Sequence, residues 1–417
     1  MTEDILRISG LNTRFYTKEG QVNAVTDVDL EIERGDVFGI VGESGSGKTV
    51  TALSIMDLIE SPGEITAGSI EYRNESLAEA VHDTHPEAVD GDFVDLLQIP
   101  DDTRRWLRGT EFATIFQDPE SSFNPTLTVG EQLAEAVEVQ RRASSTPRLD
   151  RSRAEGQEYT FKNLLLSPIR SRDRFISKES RARAVELLEM VGIPDPVQRA
   201  EEYPHEFSGG MLQRAMIAQA VAAEPDLLIA DEPTTALDVT IQAQVLELLT
   251  EMQERTGMTI LLITHNLGVI ARMCDKVGVM YAGEIVEKGT LEDLFERPIH
   301  PYTRGLIGSI PDIEGTQNRL QPIPGNVPNL LDHEMTDRCY FADRCPKAMW
   351  MCLDKPPMYP IENGDAQYSR CHLAEVPFDE SEAIHSGYFD QSDQDDRIEA
   401  QTDGEALAVD RRSGGER

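Results

Sequence analysis

The chain has 417 residues, 39% of them hydrophobic, so it can bury a sizeable core and is not disordered as a whole. Its 75 acidic and 39 basic residues leave a net charge of −36. Such a surface repels phosphate backbones and anionic lipid, which excludes sequence-independent nucleic-acid binding as the main activity.

Only 8 of the basic residues are Lys. An acid excess this large self-repels in dilute buffer, whereas at molar salt the Debye length falls to about 3 Å and the repulsion fades. The charge therefore reads as adaptation to a salty cytoplasm, the plainer alternative being an ordinary acidic protein. The N-terminus MTEDILRISG is acidic and has no apolar stretch of the signal-peptide kind. No apolar run approaches the ~18 residues that span a bilayer. The expectation is a soluble intracellular protein that meets a membrane only through a partner. Five cysteines in a reducing compartment argue against a disulfide framework.

Residues 1–50 alternate apolar and polar, with turn signals at Lys18-Glu19-Gly20 and Arg34-Gly35-Asp36. This predicts several short strands, the last being Val37–Val41. A glycine-rich loop follows, then an apolar-periodic helix from Lys48 to about Ile59. Residues 75–103 carry nine acids and no Lys or Arg, which predicts a surface insertion, partly disordered. Residues 141–184 are the opposite, with 12 basic and 5 acidic residues. Helical periodicity returns at Arg181–Val191. A helix from Ser208 to Ala223, a strand at Asp226–Ala230, a helix at Ile241–Thr256 and a strand at Thr259–Thr264 then predict an α/β fold with a parallel sheet. Residues 321–373 are rich in Pro and Cys. Residues 374–417 hold 13 acids, 4 basic residues and little apolar content, which predicts a disordered tail. No internal repeat is visible.

Gly42-Glu43-Ser44-Gly45-Ser46-Gly47-Lys48-Thr49 fits G-x-x-x-x-G-K-[ST], with an apolar strand before it and a helix after it. Glycines let backbone N–H groups turn inward around phosphates without a Cβ in the way. The helix N-terminus adds positive potential. Lys48 would reach the β- and γ-phosphates, and the Thr49 hydroxyl would ligate Mg²⁺. Next, Leu227-Leu228-Ile229-Ala230-Asp231-Glu232 is an apolar strand ending in two adjacent carboxylates. Asp231 can hold the Mg²⁺ shell, and Glu232 can point at a water attacking the γ-phosphate.

Phe207-Ser208-Gly209-Gly210-Met211-Leu212-Gln213-Arg214 puts a serine and two glycines at the start of a helix, another anion-binding terminus. Here the chain resembles the ABC ATPases, whose signature is usually LSGGQ; Phe stands for Leu and Met for Gln. The resemblance covers roughly residues 5–330. It includes Gln117 in Ile115-Phe116-Gln117-Asp118-Pro119, Asp238 in Ala236-Leu237-Asp238, and His265 in Ile263-Thr264-His265-Asn266. It implies a P-loop NTPase core of residues 1–300, with an antiparallel β subdomain and a helical subdomain at about 117–225, interrupted by insertions 75–103 and 141–184. It implies that Gln117 senses Mg²⁺ and γ-phosphate, and that His265 contacts the γ-phosphate. Phe15, or its neighbour Tyr16, could stack on adenine. The family's arrangement also implies a composite site, in which ATP on Gly42–Thr49 of one subunit is covered by Ser208, Gly209 and Gly210 of another.

Cys339, Cys345, Cys352 and Cys371 are spaced C-x5-C-x6-C-x18-C, apart from Cys274. Clustered intracellular thiols suggest Zn²⁺ or a [4Fe–4S] cluster, and the spacing alone leaves both open. Cys339-Tyr340-Phe341-Ala342-Asp343-Arg344-Cys345-Pro346 resembles the C-terminal extension of oligopeptide/dipeptide importer ATPases. So do His300-Pro301-Tyr302-Thr303 and Pro324-Gly325-Asn326-Val327-Pro328. That resemblance implies an extension at 301–373, in some members with a [4Fe–4S] cluster, followed by an acidic tail at 374–417.

The expected function is ATP hydrolysis that energises peptide import at the cytoplasmic side of the cell membrane. The implied partners are a second, similar ATPase subunit, two membrane-spanning permeases and, indirectly, an external solute-binding protein, with no nucleic acid. The family also includes nickel and oligosaccharide importers. Arg170, Arg172 and Arg174 of the basic stretch either meet anionic lipid or the permease, or are neutralised by the chain's own acids. The rival readings are a soluble ABC ATPase acting on DNA or ribosomes and a P-loop kinase. Sustained heptads and a second phosphate loop are missing for the former, and Ser208-Gly209-Gly210 is out of place in the latter.

Overall fold

The computed structural model describes residues 3–143, 176–235, 237–309, 323–331, 335, 337–361, 367–384 and 388–389. Arg170, Arg172, Arg174, Ala236 and the tail from 390 onward lie outside them.

The chain opens with β1 (Asp4–Tyr16) and β2 (Gln21–Glu33), followed by β3 (Val37–Val41). Where several short strands were expected, β1 and β2 run 13 residues each. Register shifts near Gly10 and Thr13 break the alternation that marks a long strand in sequence. β4 (Gly63–Arg73), β5 (Val89–Asp90) and β6 (Phe93–Asp95) complete an antiparallel sheet ordered β2-β1-β4-β6-β5.

The main sheet takes β7 (Phe112–Ile115), β8 (Leu227–Asp231), β9 (Thr259–Thr264), β10 (Lys276–Tyr281) and β11 (Glu284–Thr290). Two short strands, β12 (Tyr359–Pro360) and β13 (Tyr368–Ser369), join its edge, giving the order β12-β13-β11-β10-β3-β9-β8-β7. The run from β10 to β7 is parallel.

The central strands β3, β8 and β9 are buried at every position and mostly apolar because both faces are covered. Phe38, Ile40, Leu227, Ile229, Leu261 and Ile263 face one core, shared with the antiparallel sheet. Their neighbours Val37, Val41, Leu228, Ala230, Ile260 and Leu262 face a second core, built with Leu133, Leu187, Leu212, Met216, Leu246 and Leu249 of the helices. Those helices are Val129–Ala143, Lys178–Met190, Gly209–Val221 and Val239–Thr256. Among the described residues no helix is long and apolar enough to cross a membrane.

Three expectations are corrected. The helix after the glycine-rich loop spans Lys48–Ile55 and stops short of Ile59; Asp57 beyond it turns left-handed, with φ 51°. The acidic insertion 75–103 is folded rather than partly disordered. The Asn74 side chain caps a helix at Glu75–His82, and Leu77, Val81, Phe93 and Val94 are buried. Eight of its nine acids are exposed, Asp95 being the buried one, so net charge misled where the apolar spacing did not. The tail is ordered at its start. Ile384 donates its N–H to the Ala348 carbonyl at 3.0 Å, Tyr388 packs edge-on to Trp350, and Phe389 is buried.

Candidate functional site

The C-terminal ends of four neighbouring parallel strands, β3, β9, β8 and β7, deliver the site. This is where open α/β sheets place ligands. Leaving β3, the chain forms the loop Gly42–Gly47 and enters the helix at Lys48. Gly42 lies so close to β10 that a Cβ would stand 2.1 Å from the Met280 carbonyl oxygen. Gly47 has φ 102° and would put a Cβ 2.4 Å from the Ala24 oxygen. Only glycine meets both demands.

Lys48 is buried, and its Nζ donates to the Gly42 and Glu43 carbonyls, each at 2.9 Å. Burial holds its pKa below the usual lysine value, while the Glu232, Asp231 and Glu43 carboxylates pull the other way. Thr49, exposed at the helix start, hydrogen-bonds Asp231.

Asp231 closes β8. Burial pushes its carboxyl up, against the opposing effects of Thr49 and Lys48. Its Oδ1 is buried with no hydrogen-bond partner among the described residues. Glu232 has a left-handed backbone, φ 50°, pinned by its N–H to the Ile263 carbonyl at 2.8 Å. It is the hub of the site. His265 Nδ1 lies 2.9 Å from Oε1, Thr235 Oγ1 donates to Oε2 at 2.6 Å, and Gln117 Nε2 reaches Oε2 at 3.5 Å. Burial alone would raise the Glu232 pKa. The bonds from Thr235 and His265, with the charges of His265 and Lys48, outweigh it and hold the carboxyl below its usual range.

Ser208 caps the Gly209–Val221 helix, its Oγ accepting the Met211 N–H at 3.3 Å. Ser208 and Gly209 face solvent, and Gly210 backs onto Ile241. Among the described residues no hydrogen bond joins these three to the phosphate loop. The Asp238 side chain caps the Val239–Thr256 helix through the Thr240 and Ile241 amides, each at 3.0 Å. Phe15 is half-buried with its ring beside Gly63, whereas Tyr16 is 49% exposed. So Gln117, Glu232 and His265 meet, the loop lies one strand away, and Ser208–Gly210 stands apart.

Cys339, Cys345, Cys352 and Cys371 all line one small pocket with His300 and His372. All four are free thiols. Burial pushes Cys339, Cys345 and Cys371 up to about 12, and neighbouring cysteines add to the rise. Among the described residues no three His, Cys, Asp or Glu side chains form a group that could hold a metal ion.

Sequence reading missed three supporting residues. Thr235 holds Glu232, and Gln213 ties the capped helix to the turn after Glu232 through the Pro233 carbonyl at 2.6 Å. Tyr302 takes the Glu43 N–H at 2.8 Å. Gln213 and Tyr302 lie inside quoted motifs, but nothing in those motifs names the residues they touch.

A model of the ABC transporter family matches residues 25–235. The chain belongs to the ABC transporter family. A second model, of the C-terminal region of oligopeptide/dipeptide transporters, matches residues 286–352. The chain is 42% identical over 351 residues to the dipeptide transport ATP-binding protein DppD of Bacillus subtilis, covering 84% of this chain and 89% of that one. It is 43% identical over 356 residues to the probable peptide ABC transporter ATP-binding protein y4tR of Sinorhizobium fredii, covering 85% and 90%. It is 41% identical over 372 residues to the oligopeptide transport ATP-binding protein AppD of Bacillus subtilis, covering 89% and 97%. As an ABC ATPase the chain binds and hydrolyses ATP with Mg²⁺, and its family works as dimers with permease partners.

The Glu232 environment makes a testable statement about pH. A carboxyl held below its usual range serves as a base above that lowered pKa and fails as pH falls through it. Thr235→Val removes one bond that keeps it low. The acid limb of the ATPase pH profile should therefore move to higher pH, and an unmoved limb in rate-versus-pH measurements would argue against Glu232 as the titrating group.

Proposed function

We propose that this chain is an ATP-hydrolysing subunit of an importer for oligopeptides or dipeptides, acting at the cytoplasmic face of the membrane through partner permeases. The observation that carries it is the union in one chain of a nucleotide site and a match to the peptide-transporter C-terminal region. In this reading the amides of Gly42–Gly47 and Lys48 hold the β- and γ-phosphates. Thr49, Asp231 and Gln117 hold Mg²⁺; the orphaned Asp231 oxygen supports this, since a buried bare carboxylate lacks only a cation. Glu232 draws the proton from the attacking water, and His265 contacts the γ-phosphate. Tyr16, with its exposed ring, is better placed than Phe15 to stack on adenine.

Ser208, Gly209, Gly210 and Asp238 serve the site of a second, similar ATPase subunit. The exposed helix tip at Ser208, unbonded to its own loop, supports that division. Hydrolysis removes the phosphate that bridges two chains, and the opening of the dimer drives the permeases. Removing a general base costs about 10²–10⁴ in rate. Glu232→Gln should therefore slow turnover by at least about 10² and accumulate an ATP-bound dimer in size-exclusion chromatography. A monomer with ATP, or full-rate hydrolysis, would sink the composite site.

The four pocket cysteines hold a [4Fe–4S] cluster in this proposal, with Zn²⁺ the competing occupant. Four thiols are the donor chemistry that either group takes, although among the described residues they are not gathered into a metal-holding group. The group would supply a cross-link, stapling a segment too small to bury much core. Anaerobically purified protein should contain iron and acid-labile sulfide in equal amounts, lost in Cys371→Ser; zinc without sulfide would decide for the alternative.

The acid excess belongs, in this reading, to a salt-rich cytoplasm. Screening of self-repulsion then predicts ATPase activity and thermal midpoint both rising from ~0.1 M to molar KCl. A midpoint that falls across that range would leave an ordinary acidic protein.

A further inference from the structure

We propose that Arg344 and Tyr302, far outside the phosphate-loop motif, are positioning residues that set the chain's affinity for ATP by clamping Glu43 of the loop. The proposal rests on the reading of Gly42–Thr49 as the ATP site.

Arg344 grips the Glu43 carboxylate with both arms of its guanidinium, Nη1 to Oε2 at 2.7 Å and Nη2 to Oε1 at 3.0 Å. This two-pronged geometry is the strongest form of ion pair available to a carboxylate. The Arg344 side chain is only 5% exposed. Its Nε donates to the Pro324 carbonyl at 2.8 Å and its Nη1 also reaches the Tyr281 hydroxyl at 3.3 Å. Tyr302, with no exposed surface, takes the Glu43 backbone N–H on its hydroxyl at 2.8 Å. Side chain and backbone of one loop residue are thus both anchored from the C-terminal side of the chain.

Two consequences follow for a bound triphosphate. Glu43 sits in a loop that must accept a polyanion, and an unpaired carboxylate there would repel it; Arg344 both neutralises the charge and draws it away. The Glu43 carbonyl is one of the two that hold Lys48 Nζ, so fixing Glu43 also fixes where the lysine starts. The support behind Arg344 is stiff. Its turn is tied by Ala342 N–H to the Cys339 carbonyl at 3.0 Å and by Cys345 N–H to the Ala342 carbonyl at 3.2 Å. Phe341 in the same turn packs on the rings of Tyr281 and Tyr302, with centroids 5.3 and 5.4 Å apart.

A bare staple between extension and core would affect stability alone, whereas a positioning role moves KM for ATP. The experiment measures kcat and KM for ATP, with thermal midpoints, on the full chain assembled with its permeases. Arg344→Gln should raise KM about tenfold, as expected for losing a charged hydrogen-bond partner, with kcat within about twofold. Tyr302→Phe keeps the ring and removes only the hydroxyl; it should raise KM by about threefold for a neutral bond. Glu43→Gln removes the charge that needs neutralising, so adding it to Arg344→Gln should recover part of the KM loss and leave the share due to positioning, a non-additive pair. Unchanged KM in both Arg344→Gln and Tyr302→Phe, or simple additivity in the double variant, overturns the proposal whatever the midpoints do. If Arg344→Gln does not fold, Tyr302→Phe decides alone. Wild-type protein that fails to bind ATP, with Lys48→Ala as the blank, would overturn the nucleotide reading itself and not merely the clamp.

Discussion

The site depends on how closely one loop can lie against backbone. Gly42 against the Met280 carbonyl and Gly47 against the Ala24 carbonyl leave no space for a side chain, so the loop is seated directly on β10 and β2. The Gly283 N–H closes the seat with a bond to the Ser46 carbonyl at 2.9 Å. Loop amides held this way cost no reorganisation when phosphate arrives, which is the economy of a preorganised site. Lys48 meanwhile satisfies two loop carbonyls and remains under-compensated by burial. In the proposed reading, a bound triphosphate would supply the counter-charge that the buried ammonium is short of.

Beside that seat, two consecutive carboxylates are driven apart in character. Asp231, on the regular strand, is pushed up by burial and keeps one oxygen without a partner. Glu232, one residue on, turns left-handed and gathers Thr235, His265 and Gln117. The strained turn is what sends neighbouring side chains into different surroundings. In the proposed mechanism the first would take the cation, while the second is held below its usual carboxyl range. That is the division of labour a metal-assisted hydrolysis needs.

Much of this was legible in residues. The strands Val37–Val41 and Thr259–Thr264 were found to the residue, because strands buried on both faces read as short, mostly apolar runs. The places of the loop, Asp231, Glu232 and His265 at strand ends were legible because an apolar run precedes each of them. The acidic insertion was not, since its acids masked the spacing of Leu77 and Val81, four residues apart on one helix face. Nor were the partners of Glu232 and Glu43. Thr235 is a common residue in a turn, and Arg344 lies 301 positions from Glu43, a separation over which no periodicity carries information.

The C-terminal extension is less an appendage than a continuation of the core. β13 pairs with β11 and carries the main sheet one strand further. From this extension Arg344 reaches Glu43, Arg370 reaches Asp27 at 3.1 Å, and Lys355 reaches Glu284. In a chain with 75 acids and 39 basic residues, three cations spent on three core acids are a large commitment. Arg344 and Arg370 are nearly buried, at 5% and 8% exposure, although Asp27 opposite Arg370 is 53% exposed, so the Arg344 pair is the better shielded. Salt screens exposed pairs far more than buried ones. Contacts of this kind keep extension and ATPase core together at ionic strengths where the surface pairs have faded, and the guanidinium at Glu43 is the one among them that touches the phosphate loop.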